Sequence, residues 1–168
     1  MIIVAAIINA FLHLFAVVAA VGGSLFIYTV FYRSTKDLAP PQLGQVNQAM
    51  GQRFSMLVWI SIAIIILTGV LRSVALGLFR PEVLFGTPYG NLLAAKIVLL
   101  AVIIGNSVGI ARAGIKIANL TSAGGPPPAD QIAAAQGRIK TLGLTNLTLG
   151  TAATFLAVIM RIIGAPTL

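Results

Sequence analysis

Four long stretches of the chain carry almost no charge, and three polar connections separate them. Met1 to Tyr32 has no formal charge. Phe54 to Leu71 is a second such run, extended past Arg72 to Phe79. Val83 to Ala111 is a third, broken only by Lys96, and Thr141 to Met160 is a fourth. A spanning helix needs roughly 20 mainly apolar residues to cross about 30 Å of hydrocarbon. The first run, about 48 Å long as a helix, is long enough to tilt or to project from the bilayer. The pattern predicts an all-α integral membrane four-helix bundle. Its spans fall near residues 2–32, 54–79, 89–111 and 139–163, in a single domain covering residues 1–168.

The connections differ in kind. Arg33 to Arg53 contains Pro40-Pro41, a good helix start, followed by Gln42, Gln45, Asn47 and Gln48 mixed with Leu43, Val46 and Met50. That mixture suits a short interfacial helix leading into the second span. Arg80 to Gly90 is short, with Pro81, Gly86 and Pro88 as breakers. Arg112 to Lys140 holds Gly124-Gly125-Pro126-Pro127-Pro128, a flexible break, after which Asp130 is placed to cap the run into the last helix. The first run lacks a basic leader and far exceeds a signal-peptide core, so it reads as a retained anchor. Tyr28, Tyr32, Arg33 and Lys36 form an aromatic and basic margin at its end.

Composition narrows the class. Of 168 residues, 58% are hydrophobic and 8% are charged, too few charges to solvate the surface of a water-soluble domain. The 11 Lys and Arg outnumber the 3 Asp and Glu. The excess maps onto topology. The first and third connections hold Arg33, Lys36, Arg53, Arg112, Lys116, Arg138 and Lys140, whereas the other side has Arg72, Arg80 and Arg161. The richer side should face the cytoplasm, with both termini on the outer (periplasmic) side of the inner membrane. The bilayer, including its anionic lipid, is the expected environment. Without a soluble basic face the chain offers nucleic acid nothing.

Every acidic residue lies outside the spans, so paired-carboxylate catalysis and a carboxylate-based proton pump are not expected. The intramembrane ionisable groups are His13, Lys96, Arg72 and Arg161. Helical rise puts His13 and Lys96 roughly 6 Å to the outer side of their span midpoints, Arg72 about 8 Å and Arg161 about 13 Å. Asn9, one turn from His13, and Asn91 are candidates to join them. Arg72 and Arg161 are shallow enough to snorkel to the interface, and His13 alone could serve as a helix-packing residue. Taken together, the cations call for an anionic guest.

A b-type haem would meet that need, with His13 as axial ligand and Lys96, Arg72 or Arg161 paired with its propionates. A quinone headgroup, a lipid phosphate or a carboxylate from another membrane subunit would satisfy the same physics. Copper is the alternative, although one His, no Cys and four scattered Met (Met1, Met50, Met56 and Met160) make a sparse donor set. Small-residue strips suggest where helices or flat ligands approach: Ala16, Ala20, Gly23 and Ser24; the Gly105/Gly109 step with Ala113; and Thr141, Thr145, Thr148 and Thr151. The first strip would seat a porphyrin plane.

Phe11-Leu12-His13-Leu14-Phe15-Ala16 with Val21-Gly22-Gly23 resembles the first span of the copper-resistance D domain family. Gly51-Gln52-Arg53-Phe54 and Leu67-Thr68-Gly69-Val70-Leu71 resemble its second span, and Pro88-Tyr89-Gly90-Asn91-Leu92-Leu93-Ala94-Ala95-Lys96 its third. The His in the first span and the Lys in the third also resemble the J-type membrane protoporphyrinogen oxidase. The first resemblance implies copper handling around His13 and Lys96, and the second a haem-associated site. A third expectation, independent of both, is a non-catalytic subunit of a larger membrane complex.

Overall fold

The computed structural model describes residues 2–35, 37–38, 40–122 and 128–164. Among them the order is α1 (Ile2–Phe26), a π-helical turn (Ile27–Phe31), α2 (Tyr32–Ser34), α3 (Pro40–Ala75), α4 (Pro81–Gly86), α5 (Pro88–Ser122) and α6 (Ala129–Ile163), with no strand. Four segments are long and apolar enough to cross a membrane: Ile3–Ser34, Gly44–Ala75, Pro88–Ser122 and Ala129–Ile163. Their large apolar side chains, among them Ile3, Phe11, Phe15, Met56, Leu67, Val98 and Phe155, stand mostly exposed. In water such a surface would aggregate; facing lipid tails it is at home.

The helix ends follow local chemistry. Helix α3 starts at Pro40, as the Pro pair predicts. It then runs unbroken to Ala75, so the expected interfacial helix and the second span are one element. No proline interrupts residues 42–75, and a glycine such as Gly51 costs a helix only about 1 kcal/mol. Its C-terminus comes at Ala75, not Phe79, because Gly77 takes φ +61°. There Leu78 N–H bonds Ser73 O at 2.9 Å and Gly77 N–H bonds Val74 O at 3.0 Å. This is a Schellman closure, with Leu78 buried behind it. Helices α5 and α6 also outrun the charge-free windows, since polar and basic residues are tolerated where a helix leaves the hydrocarbon. Asp130 lies within the first turn of α6 instead of capping it. The Pro128 carbonyl begins that helix by accepting from Ile132 N–H at 3.2 Å. Met1, Lys36 and the Gly124–Pro127 stretch of the expected break lie outside the described residues.

The chain divides into two units, Met1–Ala94 with Ala157–Leu168, and Ala95–Leu156. In the first, α1 packs along α3. Low-numbered residues of α1 meet high-numbered residues of α3: Asn9 and His13 reach Thr68, while Gly23 lies against Phe54 and Leu57. The two helices are therefore antiparallel. A Cβ on Gly23 would come within 2.8 Å of the Phe54 ring, so glycine is what permits this approach. Leu78, Val83, Tyr89 and Met160 form a small core in the same unit, with Leu92 and Leu93 against it. Thr87 caps α5: its hydroxyl accepts from Gly90 N–H at 3.0 Å, and Pro88 fills the first helical position. A Cβ at Gly90 would collide with the backbone of Val83 and Leu84, which fixes glycine at this corner.

In the second unit α5 and α6 are joined by a polar knot. Asn106 Nδ2 donates to Asn146 Oδ1 at 3.0 Å. Asn146 Nδ2 donates to Ser107 Oγ at 3.1 Å and to Ile103 O at 3.3 Å. Ser107, buried, donates in turn to Ile103 O at 2.8 Å. The expected glycine step is half used: a Cβ at Gly109 would meet Leu142 at 2.9 Å, whereas one at Gly105 would meet nothing within 4 Å. The threonine strip does not join helices. Thr141, Thr145, Thr148 and Thr151 are exposed, and the last three return their hydroxyls to the carbonyls of Thr141, Leu144 and Leu147 on their own helix.

Candidate functional site

The richest chemistry in the first unit sits between α1 and α3. His13 and Asn9 are one turn apart on α1, both half-buried. Opposite them is Thr68, buried within α3. His13 Nδ1 lies 2.7 Å from Thr68 Oγ1. Asn9 Nδ2 donates to the Thr68 carbonyl at 3.0 Å. The Thr68 hydroxyl also lies 2.5 Å from Ile64 O and 3.3 Å from Ile65 O. Gly69 follows, and a Cβ there would rest 3.7 Å from His13 Cε1, an ordinary contact.

Of the residues singled out in the sequence, the structure thus joins Asn9 and His13 through Thr68. Arg72, one turn beyond Thr68, and Arg161 are exposed in the last turns of α3 and α6. A cation is favourable there, beside the free carbonyls of a helix C-terminus. Lys96 is half-buried in the second unit, and Asn91 is exposed at the start of α5. The strip offered for a porphyrin is in use. Ala16 is buried, and Gly23 lies on Phe54 and Leu57, because this face of α1 is the one that packs on α3. Residues passed over in the sequence were Thr68, Asn106, Ser107 and Asn146. A lone amide or hydroxyl deep in an apolar run was the available signal, since such groups seek partners across helices.

The donor inventory is spare. Among the described residues no three His, Cys, Asp or Glu gather into a group able to hold a metal ion. Met160 belongs to the apolar core with Leu78, Val83 and Tyr89; Met50 is half-buried and Met56 exposed. A resident, fully enclosed metal centre does not fit these residues.

Four apolar helices, outward-facing hydrophobic side chains and an all-α architecture define a multi-pass membrane protein. Residues 48–160, most of the chain, match the profile of the family copper resistance protein D (CopD). The chain belongs to that family. The match includes Gln52-Arg53-Phe54, Leu67-Thr68-Gly69-Val70-Leu71 and Pro88 to Lys96, and it begins after the span that carries His13. No curated protein and no solved structure matches the chain at a significant level.

Proposed function

We propose that this protein handles copper at the inner membrane, with the metal as cargo and not as a resident cofactor. Membership of the copper-resistance family in a four-span chain carries the reading. The spare donor set supports it. A site on a transit path must bind firmly enough to admit an ion and loosely enough to release it. One imidazole with no thiolate meets that condition better than a closed cluster would. The seven basic residues of the first and third connections support a cytoplasmic position for those connections and an outer position for both termini. Arg72 and Arg161, exposed at helix ends, suit headgroup phosphates of the outer leaflet.

The test is genetic and analytical. A strain lacking the protein should change in copper tolerance, or in loading of a copper enzyme. The wild-type chain should restore it and His13→Ala should not. No change under either copper stress or copper starvation would overturn the reading. Haem b on the Ala16–Ala20–Gly23 strip is disfavoured by the packing of α3 against it. A Soret band from gently solubilised protein, abolished by His13→Ala, would restore the haem reading. Stoichiometric co-purifying partners with no copper phenotype would point instead to a subunit of a larger complex.

A further inference from the structure

We propose that Arg72, Arg80 and Arg161 form one binding site for an anionic phospholipid, at the end of the first unit where α3 and α6 finish. The proposal rests on the membrane placement of the chain and not on the copper reading. Residues far apart in the chain meet here around the small core of Leu78, Val83, Tyr89 and Met160. Arg161 directly follows Met160. Arg80 lies between Leu78 and Val83, and its carbonyl accepts from Val83 N–H at 3.0 Å. Arg72 precedes Ser73, whose carbonyl accepts from Leu78 N–H at 2.9 Å. The backbone of each arginine is thus tied to that core or to its immediate neighbour. All three side chains are exposed. Among the described residues none of them makes an ion pair or a side-chain hydrogen bond, and Glu82, the acid of this corner, pairs with none of them. Three positive charges therefore stand here against one negative.

Helix C-termini account for part of the pattern. Arg72 and Arg161 stand in the last turns of α3 and α6, beside open carbonyls. That attraction leaves most of the five guanidinium donors unused. Arg80 has no such reason, since it precedes the first turn of α4, the end of a helix that disfavours a cation. A phosphate diester suits all three, because it is anionic and its paired oxygens match the guanidinium fork. The apolar neighbours select a lipid over a soluble anion. Phe79 and Phe85 stand on either side of Arg80 in the chain, 47% and 69% exposed, and Ile162 follows Arg161 at 80%. A free phosphate gains nothing from these side chains. A phospholipid sets its headgroup on the guanidiniums and its acyl chains along the phenyl rings and the isoleucine. A zwitterionic headgroup brings its own cation to a corner that is already positive, so the net charge favours an anionic one.

The full-length protein would be placed in phosphatidylcholine nanodiscs containing increasing phosphatidylglycerol, and the lipid it retains on extraction counted by native mass spectrometry. Wild type should retain phosphatidylglycerol in preference to phosphatidylcholine, and should unfold at a higher temperature as the phosphatidylglycerol fraction rises. Arg80→Gln should weaken that preference about fivefold, and the same change at Arg72, Arg80 and Arg161 together about a hundredfold. Lys116→Gln with Arg138→Gln, which removes two charges from the second unit, should weaken it less than Arg80→Gln alone. An equal or larger loss in that control would reduce the corner to unspecific charge attraction and overturn the proposal. Equal retention of both lipids by wild type would overturn it whether or not the variants fold. Inorganic phosphate added to pure phosphatidylcholine nanodiscs should not reproduce the thermal shift; if it does, the occupant is a soluble anion and the lipid assignment falls. A deletion strain with unchanged copper physiology would remove the functional reading and leave this site standing, whereas lipid indifference in wild type would do the reverse.

Discussion

Two polar knots join helices along their apolar stretches, one in each unit, and they are built from similar parts. Asn9, His13 and Thr68 join α1 to α3, while Asn106, Ser107 and Asn146 join α5 to α6. Each combines an amide, a hydroxyl and a backbone carbonyl. In the second knot the groups answer one another: Asn106 serves Asn146, Asn146 serves Ser107 and Ile103, and Ser107 serves Ile103. In the first knot an imidazole takes the place of the second amide: His13 Nδ1 lies 2.7 Å from the Thr68 hydroxyl, which also faces Ile64 O, and Asn9 serves the Thr68 carbonyl. The difference is that only the first knot brings into the seam a side chain of the kind that also ligates metals. Hydrogen bonds between membrane helices are individually modest, averaging about 0.6 kcal/mol, so both knots set register more than they supply bulk stability.

The largest expected difference is functional. His13→Ala should abolish the copper phenotype to the level of a deletion while lowering stability by about 1 kcal/mol or less. Tolerance assays, together with unfolding in bicelles, would read both quantities. Loss of folding in proportion to loss of function would erase the contrast between the knots.

Packing beside the second knot should respond next. Gly109→Leu drives a side chain into Leu142 and should cost about 1–3 kcal/mol. Gly105→Leu, on the same helix with nothing within 4 Å, should cost much less. Equal costs would mean that the α5–α6 seam does not run past Gly109.

Asn146→Leu removes the centre of the second knot and orphans the Asn106 amide. A loss of about 1–2 kcal/mol is expected, with copper phenotypes unchanged. A copper defect in a stably inserted Asn146→Leu protein would give the second knot a role beyond holding helices. The smallest effect belongs to Gly69→Ala, whose new methyl meets His13 Cε1 at an ordinary distance of 3.7 Å. Stability should hold or rise by up to about 1 kcal/mol, because alanine is the better helix former and the new contact is an ordinary one. A drop would show that the ring needs more room along α3 than its resting position reveals.

Much of the fold could be read in advance. The charge map called for four apolar helices and the described residues contain four long and apolar enough to cross a membrane, Pro40 marked the start of α3, and the resemblance in residues 51–96 pointed to the family. Helix ends were less accessible, because charge-free windows mark the hydrocarbon and helices continue past it. The Gly77 closure, for example, ended α3 before the apolar run did. The site was half visible. His13 and Asn9 stood out as polar residues in an apolar run, but Thr68 registered only as part of a family-like string.

What the sequence by itself determined is the number of spans, their helical character and the poverty of metal donors. These follow from the cost of placing charge and open backbone in lipid, which acts on each segment alone. What only the tertiary structure decided is which polar groups meet. Thr68 lies 55 residues from His13, and the antiparallel register that joins them depends on Gly23 admitting Phe54 and Leu57 farther along the same seam. Side-chain shape along two helices sets that register, and no local pattern in either helix contains it.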